Sequence, residues 1–163
     1  MEINKIDLNT FDIFDKNWAL LTAGNIDSHN SMTISWGEIG TLWSKPVATV
    51  YVKPIRYTYN FMENNEYFVV SFFDKKYQKS LSKMGSLSGR DINKDEASNL
   101  TPKKYKEVVV YEEASIIIIC KKIYYSDLDI SKIPAFAKNK YYLKELPHRM
   151  YVGEIIDIVD QRK

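Results

Sequence analysis

The sequence is poor in the residues that most often carry chemistry. Its 163 residues include one cysteine, Cys120, and two histidines, His29 and His148. A lone cysteine excludes an intramolecular disulfide and a cysteine-built zinc site, and it fits a reducing, cytoplasmic setting. Two imidazoles and scattered carboxylates show no metal-ligand spacing, so no metal is expected. No G-x-G-x-x-G, P-loop, H-E-x-x-H, C-x-x-C or G-x-S-x-G occurs, which disfavours a dinucleotide-binding Rossmann unit, a nucleoside triphosphatase, a zinc protease and a serine hydrolase. Excess charge is lacking too. With 23 Lys and Arg against 21 Asp and Glu, there is no electrostatic footprint for nucleic acid or an anionic membrane. The longest apolar run, Ala114 to Cys120, is far shorter than the roughly 20 residues of a membrane helix. The opening MEINKIDLNTFDIFDK has neither the basic start nor the apolar stretch of a signal peptide. No linker or repeat divides residues 1–163, so one domain with one sizeable core is expected.

What the chain does have is short runs of β-branched and aromatic residues. Trp18 to Ala23, Met32 to Trp36, Val47 to Val52, Tyr67 to Phe73, Glu107 to Tyr111, Ala114 to Tyr125 and Met150 to Val159 read as strands. G-N-I-D-S-H-N, between the first two, reads as a loop. Pro54 suits the first turn of a helix, where its missing N–H costs nothing, so a short helix over Ile55 to Met62 is expected, ending at Asn64-Asn65. Asp74 is a candidate cap for a second helix. There Tyr77, Leu81 and Met84 share one face, and Gly85 stands where a C-terminal cap belongs. Residues between Tyr125 and Met150, with Pro134 and Pro147, read as a polar connection. Helices are few and do not alternate with strands. The fold class is therefore mainly β, an antiparallel barrel with helical insertions rather than a doubly wound parallel sheet.

Four constellations can carry function. Asn30-Ser31-Met32-Thr33-Ile34-Ser35-Trp36-Gly37 alternates hydroxyl and apolar residues. On a strand this puts Ser31, Thr33 and Ser35 on one face and Met32, Ile34 and Trp36 on the other. Such a row can meet a planar polar ligand or simply be a half-exposed strand. Lys53-Pro54-Ile55-Arg56-Tyr57-Thr58 combines a helix start, a planar cation and a hydroxyl, which suits a phosphate; ordinary solvated charges beside a turn are the plainer alternative. Gly85-Ser86-Leu87-Ser88-Gly89-Arg90-Asp91 is a flexible loop rich in backbone donors, and equally a helix cap followed by surface loop. His148 precedes a strong strand and is the candidate for chemistry, against the plainer reading of a structural imidazole. Cys120, inside an apolar strand, reads as inert packing.

Taken in order, S-M-T-I-S-W-G, K-P-V-A-T-V-Y-V-K-P-I-R-Y-T-Y, F-V-V-S-F-F, G-S-L-S-G-R-D and H-R-M-Y-V-G-E resemble the flavin reductase-like family of FMN-binding split barrels, of antiparallel Greek-key type. The resemblance implies FMN as cofactor. It assigns Met32, Thr33, Ile34 and Ser35 to the ring, with Trp36 packed nearby, and Arg56, Tyr57 and Thr58 to the phosphate, with Asn30 and Lys53 also in the cofactor site. Ser86, Ser88, Gly89 and Arg90 extend the site, and His148 borders the flavin or nicotinamide. Family members often continue the last loop with Asp-x-Asp-Lys-Phe, whereas this chain has Asp91-Ile92-Asn93-Lys94-Asp95. The implied activity is NAD(P)H-dependent reduction of FMN, with electrons passed to free flavin, iron or another small-molecule or protein acceptor, in a homodimer. A flavoredoxin-type FMN carrier reduced by a partner protein is a second reading. A third, of another class, is a barrel that binds a ligand or nucleic acid without catalysis, which the near-neutral charge opposes.

Overall fold

Runs of alternating and β-branched residues build the frame in the computed structural model, which describes residues 2–162. In chain order the strands are β1 (Ala19–Asn25), β2 (Ser28–Ile34), β3 (Gly37–Leu42), β4 (Lys45–Val52), β5 (Tyr67–Phe73), β6 (Pro102–Tyr105), β7 (Val108–Tyr111), β8 (Ala114–Asp127) and β9 (Arg149–Asp160). The helices are α1 (Thr10–Asp15), α2 (Tyr57–Asn64), α3 (Gln78–Ser86), α4 (Lys94–Ser98) and α5 (Ala135–Tyr141). Seven strands form one antiparallel sheet in the order β2-β1-β5-β8-β9-β4-β3, and β6 and β7 pair as a separate hairpin.

The two ends of that order, β2 and β3, follow each other in the chain with only Ser35 and Trp36 between them. A flat sheet of seven strands could not be joined end to end by two residues, so the sheet must roll up. Hydrogen bonding nevertheless stops at β2 and β3, and the barrel stays split between them.

Rolling gives the sheet two apolar faces. Inside, Leu21, Met32, Ile34, Val50, Phe68, Val70, Ile116, Ile118 and Ile158 pack together with Phe14 of α1. Outside, Leu20, Val69, Ile117 and Ile119 pack under Leu81 and Met84 of α3 and Val108 and Val110 of β7. This is why Ile116 to Cys120 is apolar at every position: alternate residues serve different cores. Gly153 of β9 pairs with Lys122 of β8 next to a register irregularity, and a Cβ there would come within 2.6 Å of Cys120 Cβ and of the Phe68 ring.

Several local expectations are corrected. The loop expected at 24–30 is mostly strand. Asn25 turns the hairpin, its Oδ1 accepting from the N–H groups of Asp27 and Ser28 at 3.0 Å, and so His29 and Asn30 lie in β2. The first helix begins at Tyr57 rather than Ile55, because Pro54 belongs to a turn in which Arg56 N–H donates to the Lys53 carbonyl at 3.0 Å. Asp74 makes no side-chain cap; its carbonyl accepts from Tyr77 N–H in a 3-10 turn that precedes α3. Gly85 lies within the last turn of α3, and Leu87 is the C-cap. The connection after Tyr125 holds α5.

Candidate functional site

Two adjoining cavities open where β2, the start of α2, the loop after α3 and the segment after α5 converge. They share Ile55 and Arg56.

The first, of about 260 Å³, is cationic. Arg56, Arg90 and Lys94 line it with Asn30, Thr58 and the segment Gly85 to Gly89, and among the described residues no carboxylate does. Each cation is held in place. Arg56 donates to the Gly85 carbonyl at 2.8 Å, and burial lowers its pKa. Arg90 lies over the Tyr57 ring at 4.9 Å, and its Nη1 reaches the Ile55 carbonyl at 3.3 Å. Lys94 is buried and donates to the Ser31 carbonyl at 2.5 Å. Desolvation, then the nearby Arg56 charge, pushes its pKa down to about 8, with Asp95 opposing. An anion in this cavity would reverse the push from Arg56 and favour the charged ammonium. Thr58, buried in the first turn of α2, accepts from Asn30 Nδ2 at 2.7 Å, which leaves its own proton to donate. Gly89 makes the cradle possible: a Cβ there would lie 2.1 Å from Asn30 Oδ1.

The second cavity, of about 350 Å³, is aromatic. Met32 to Trp36, Tyr51, Lys53, Tyr141, Glu145 and His148 line it. Trp36 meets the Tyr141 ring edge-on at 4.9 Å and the His148 imidazole at 5.0 Å. Tyr142 Oη lies 2.8 Å from His148 Nδ1. Burial, with Lys53 and Arg56 nearby, lowers the His148 pKa to about 4, against a counter-pull from Glu145, so the imidazole is neutral at pH 7. With the Tyr142 hydroxyl donating to Nδ1, the ring proton is assigned to Nε2.

The alternation read in β2 is present, but its hydroxyls are used internally. Met32 and Ile34 enter the barrel core. Ser31 Oγ lies 2.8 Å from Thr22 Oγ1 and 2.9 Å from Tyr111 Oη, and Thr33 Oγ1 donates to the Leu81 carbonyl at 2.5 Å. The strand instead offers its backbone. Because β2 is an edge strand, alternate residues turn N–H and C=O away from β1. The Ser31 carbonyl does so toward Lys94, and by the same alternation Thr33 does so toward the aromatic cavity.

Of the other expected residues, Tyr57, Ser86, Ser88 and Gly89 line the cationic cavity, and Ser35 and Trp36 the aromatic one. Ser86 Oγ turns back to the Ser82 carbonyl at 2.9 Å. Lys53 stands apart from the cationic cavity. Its ammonium is ion-paired with Glu145 and donates to the Tyr141 carbonyl at 3.1 Å. Sequence reasoning missed Tyr51, Tyr141, Tyr142 and Glu145, and gave Lys94 no role. The adjacent tyrosines 141 and 142, inside a stretch otherwise rich in lysine, were the available signal.

The flavin reductase like domain profile matches residues 11–162 of the sequence. The chain belongs to the flavin reductase-like family. A search of curated proteins finds no match. Solved structures similar to this family member include an FMN-binding protein from Thermus thermophilus with bound 1-cyclohex-2-enone, 16% identical over 96% of this chain and 78% of the other, with a TM-score of 0.71. Flavoredoxin from Methanosarcina acetivorans is 20% identical, covering 96% and 74%, at a TM-score of 0.70. The NADH:FAD oxidoreductase of Streptomyces globisporus is 13% identical, covering 88% and 74%, at 0.68. At such identities the likeness establishes the fold, that of the FMN-binding split barrels, and the residues of this flavin reductase-like chain must speak for its chemistry.

Proposed function

We propose that the protein is an FMN-dependent reductase that takes hydride from NAD(P)H and passes electrons to free flavin, iron or another acceptor. The observation that carries this reading is the pairing of a carboxylate-free cationic cavity with an aromatic one, joined at Ile55 and Arg56. The residues fit FMN. Arg56, Arg90, Lys94, Thr58 and the backbone after Gly85 suit its phosphate. The free edge of β2 and the Trp36, Tyr51 and Tyr141 rings suit a planar heteroaromatic ring.

When bound, FMN supplies the hydride and electron transfer. The protein's part is to hold and orient it. Arg56, between the cavities, fixes the phosphate relative to the ring. Thr33 offers backbone groups to the polar edge of the ring. His148, neutral and held by Tyr142, presents Nε2–H as a donor at the mouth without adding charge there. Lys53, neutralised by Glu145, packs beside it.

A flavoredoxin-type carrier, reduced by a protein partner, is favoured by one observation. Phe136, Leu143 and Leu146 stand exposed along the segment that also brings Tyr141 and Glu145 to the aromatic cavity. A partner or a second copy would cover such side chains. We place the protein in the cytoplasm as a homodimer, a state that light scattering would measure. Among the described residues no helix is long and apolar enough to cross a membrane.

The deciding experiment is anaerobic. Purified protein is expected to be yellow, and NADH or NADPH to bleach it within the time of mixing. Slow or absent bleaching, with retained colour, would select the carrier. Colourless protein that takes up no added FMN would sink both.

A further inference from the structure

Behind Lys94 runs a line of hydrogen bonds that ties α4 to the β1–β2 hairpin. The Asp95 carboxylate is gripped at both oxygens: Oδ1 accepts from the Tyr111 hydroxyl at 2.6 Å, and Oδ2 lies 3.0 Å from His29 Nε2. Tyr111 Oη continues to Ser31 Oγ, and Ser31 Oγ to Thr22 Oγ1. Tyr111, Ser31 and Thr22 are buried, and the His29 and Asp95 side chains are only 12% and 21% exposed. His29, Tyr111 and Lys94 together lower the Asp95 pKa against the cost of its burial, so the carboxylate stays ionised.

The helix it anchors is weak by itself. α4 has five residues, between an Asn93 cap that accepts from the N–H groups of Asp95 and Glu96 and a left-handed Asn99. One and a half turns cannot hold their own position in water. Lys94 precedes Asp95 directly, at the wall of the cationic cavity. A lysine carries four rotatable bonds, and holding its ammonium at one spot in a buried site costs entropy that a fixed backbone reduces.

We propose that Asp95 is a positioning residue. Clamped by His29 and Tyr111, it holds Lys94 at the cationic cavity and thereby sets how strongly the site grips the phosphate of its flavin. The inference rests on the reading of that cavity as the phosphate site. At the two positions where the chain departs from Asp-x-Asp-Lys-Phe, Asn93 is the helix cap and Asp95 is the partner of His29 and Tyr111.

The test compares FMN with riboflavin, which lacks the phosphate, by fluorescence titration of the apoprotein. The unaltered protein is expected to bind FMN the more tightly. Asp95→Ala is expected to shrink the FMN-to-riboflavin preference about tenfold while leaving riboflavin affinity in place. Asp95→Asn, which still accepts from Tyr111, should recover most of the preference. Should Asp95→Ala fold poorly, Tyr111→Phe removes one grip while keeping the ring, and it should move the preference the same way. A preference unchanged in these variants, or equal loss of both flavins, would overturn the positioning role while leaving the phosphate site standing. Equal affinity of the unaltered protein for the two flavins would overturn the phosphate site itself, and the positioning role with it.

Discussion

Arg56 illustrates how a surface-type residue becomes a half-buried one. It precedes the first residue of α2, and its guanidinium is held by the Gly85 carbonyl from the end of α3. Five donors in a planar fork can serve that carbonyl and an anion together. Arg56→Ala is therefore expected to weaken FMN binding ten- to a hundredfold, the range of a lost charge-assisted hydrogen bond of about 1.5–3 kcal/mol; an unchanged dissociation constant in a fluorescence titration would remove Arg56 from the site. His148 carries a different prediction. Its folded pKa of about 4 lies below the ordinary 6.5, so between those values the unfolded chain binds a proton that the folded protein does not. Stability contributed by His148 is then full above pH 6.5 and lost as pH falls toward 4. The loss should be on the order of 1–2 kcal/mol once partial exposure is discounted. Urea midpoints measured across that window should fall less steeply for His148→Asn than for the parent. At this scale Arg56, Thr58 and Gly89, singled out in the sequence because each residue type has one strong use, come together at the wall of the cationic cavity. Ser31 and Thr33 were misleading because a hydroxyl serves a neighbouring carbonyl as readily as a ligand, and only tertiary placement decides.

At the scale of elements, strands were easier to see than their connections. β5 has the limits its composition suggests, and β8 and β9 differ from expectation by one or two residues at their ends. The hairpin of β3 and β4 was half hidden. Its turn residues, Trp43 and Ser44, have φ of 52° and 59°, the left-handed region where Asn and Gly are expected. A turn built from Trp and Ser sends no signal, and β3 was lost with it. The strain is measurable. Ser44→Gly removes a side chain from a left-handed position, and a gain of up to about 1 kcal/mol is expected, offset in part by the entropy of an unfolded glycine. Thermal melts should show a small upward shift, and a drop would mean that the Ser44 side chain contributes more than its left-handed conformation costs. α4 and α5 escaped for another reason. They are short and lack an apolar stripe, and they hold their places through Lys94, Asp95 and Tyr141, whose partners Ser31, Tyr111 and Lys53 lie on other elements.

For the whole molecule, the class of fold followed from composition, since several strand-like runs with few helices leave little choice. The strand order did not. Periodicity says which face a residue takes and nothing about which strand lies beside it. The continuous apolar stretch of β8 could equally have belonged to a parallel sheet covered by helices. Its two faces meet the barrel interior on one side and α3 with β7 on the other, a division visible only once the sheet has rolled. The ordered motifs, rather than any count of charges or hydrophobic residues, carried the reading of the site.

The unpaired rim of β2 has a consequence for how the protein breathes. A strand bonded on one side opens to solvent more often than one bonded on both, so its outward amides trade protons with water sooner than those of β5 or β8. A flavin lying along that rim supplies the missing neighbour. Deuterium uptake over residues 30–36 is expected to slow when FMN saturates the protein, while the interior of β8, bonded to β5 and β9, keeps its rate. Uptake that ignores the flavin would place the ring elsewhere. If the rim does respond, the cofactor is also the last piece of the barrel wall, and losing it leaves the protein ajar along one line rather than loosened throughout.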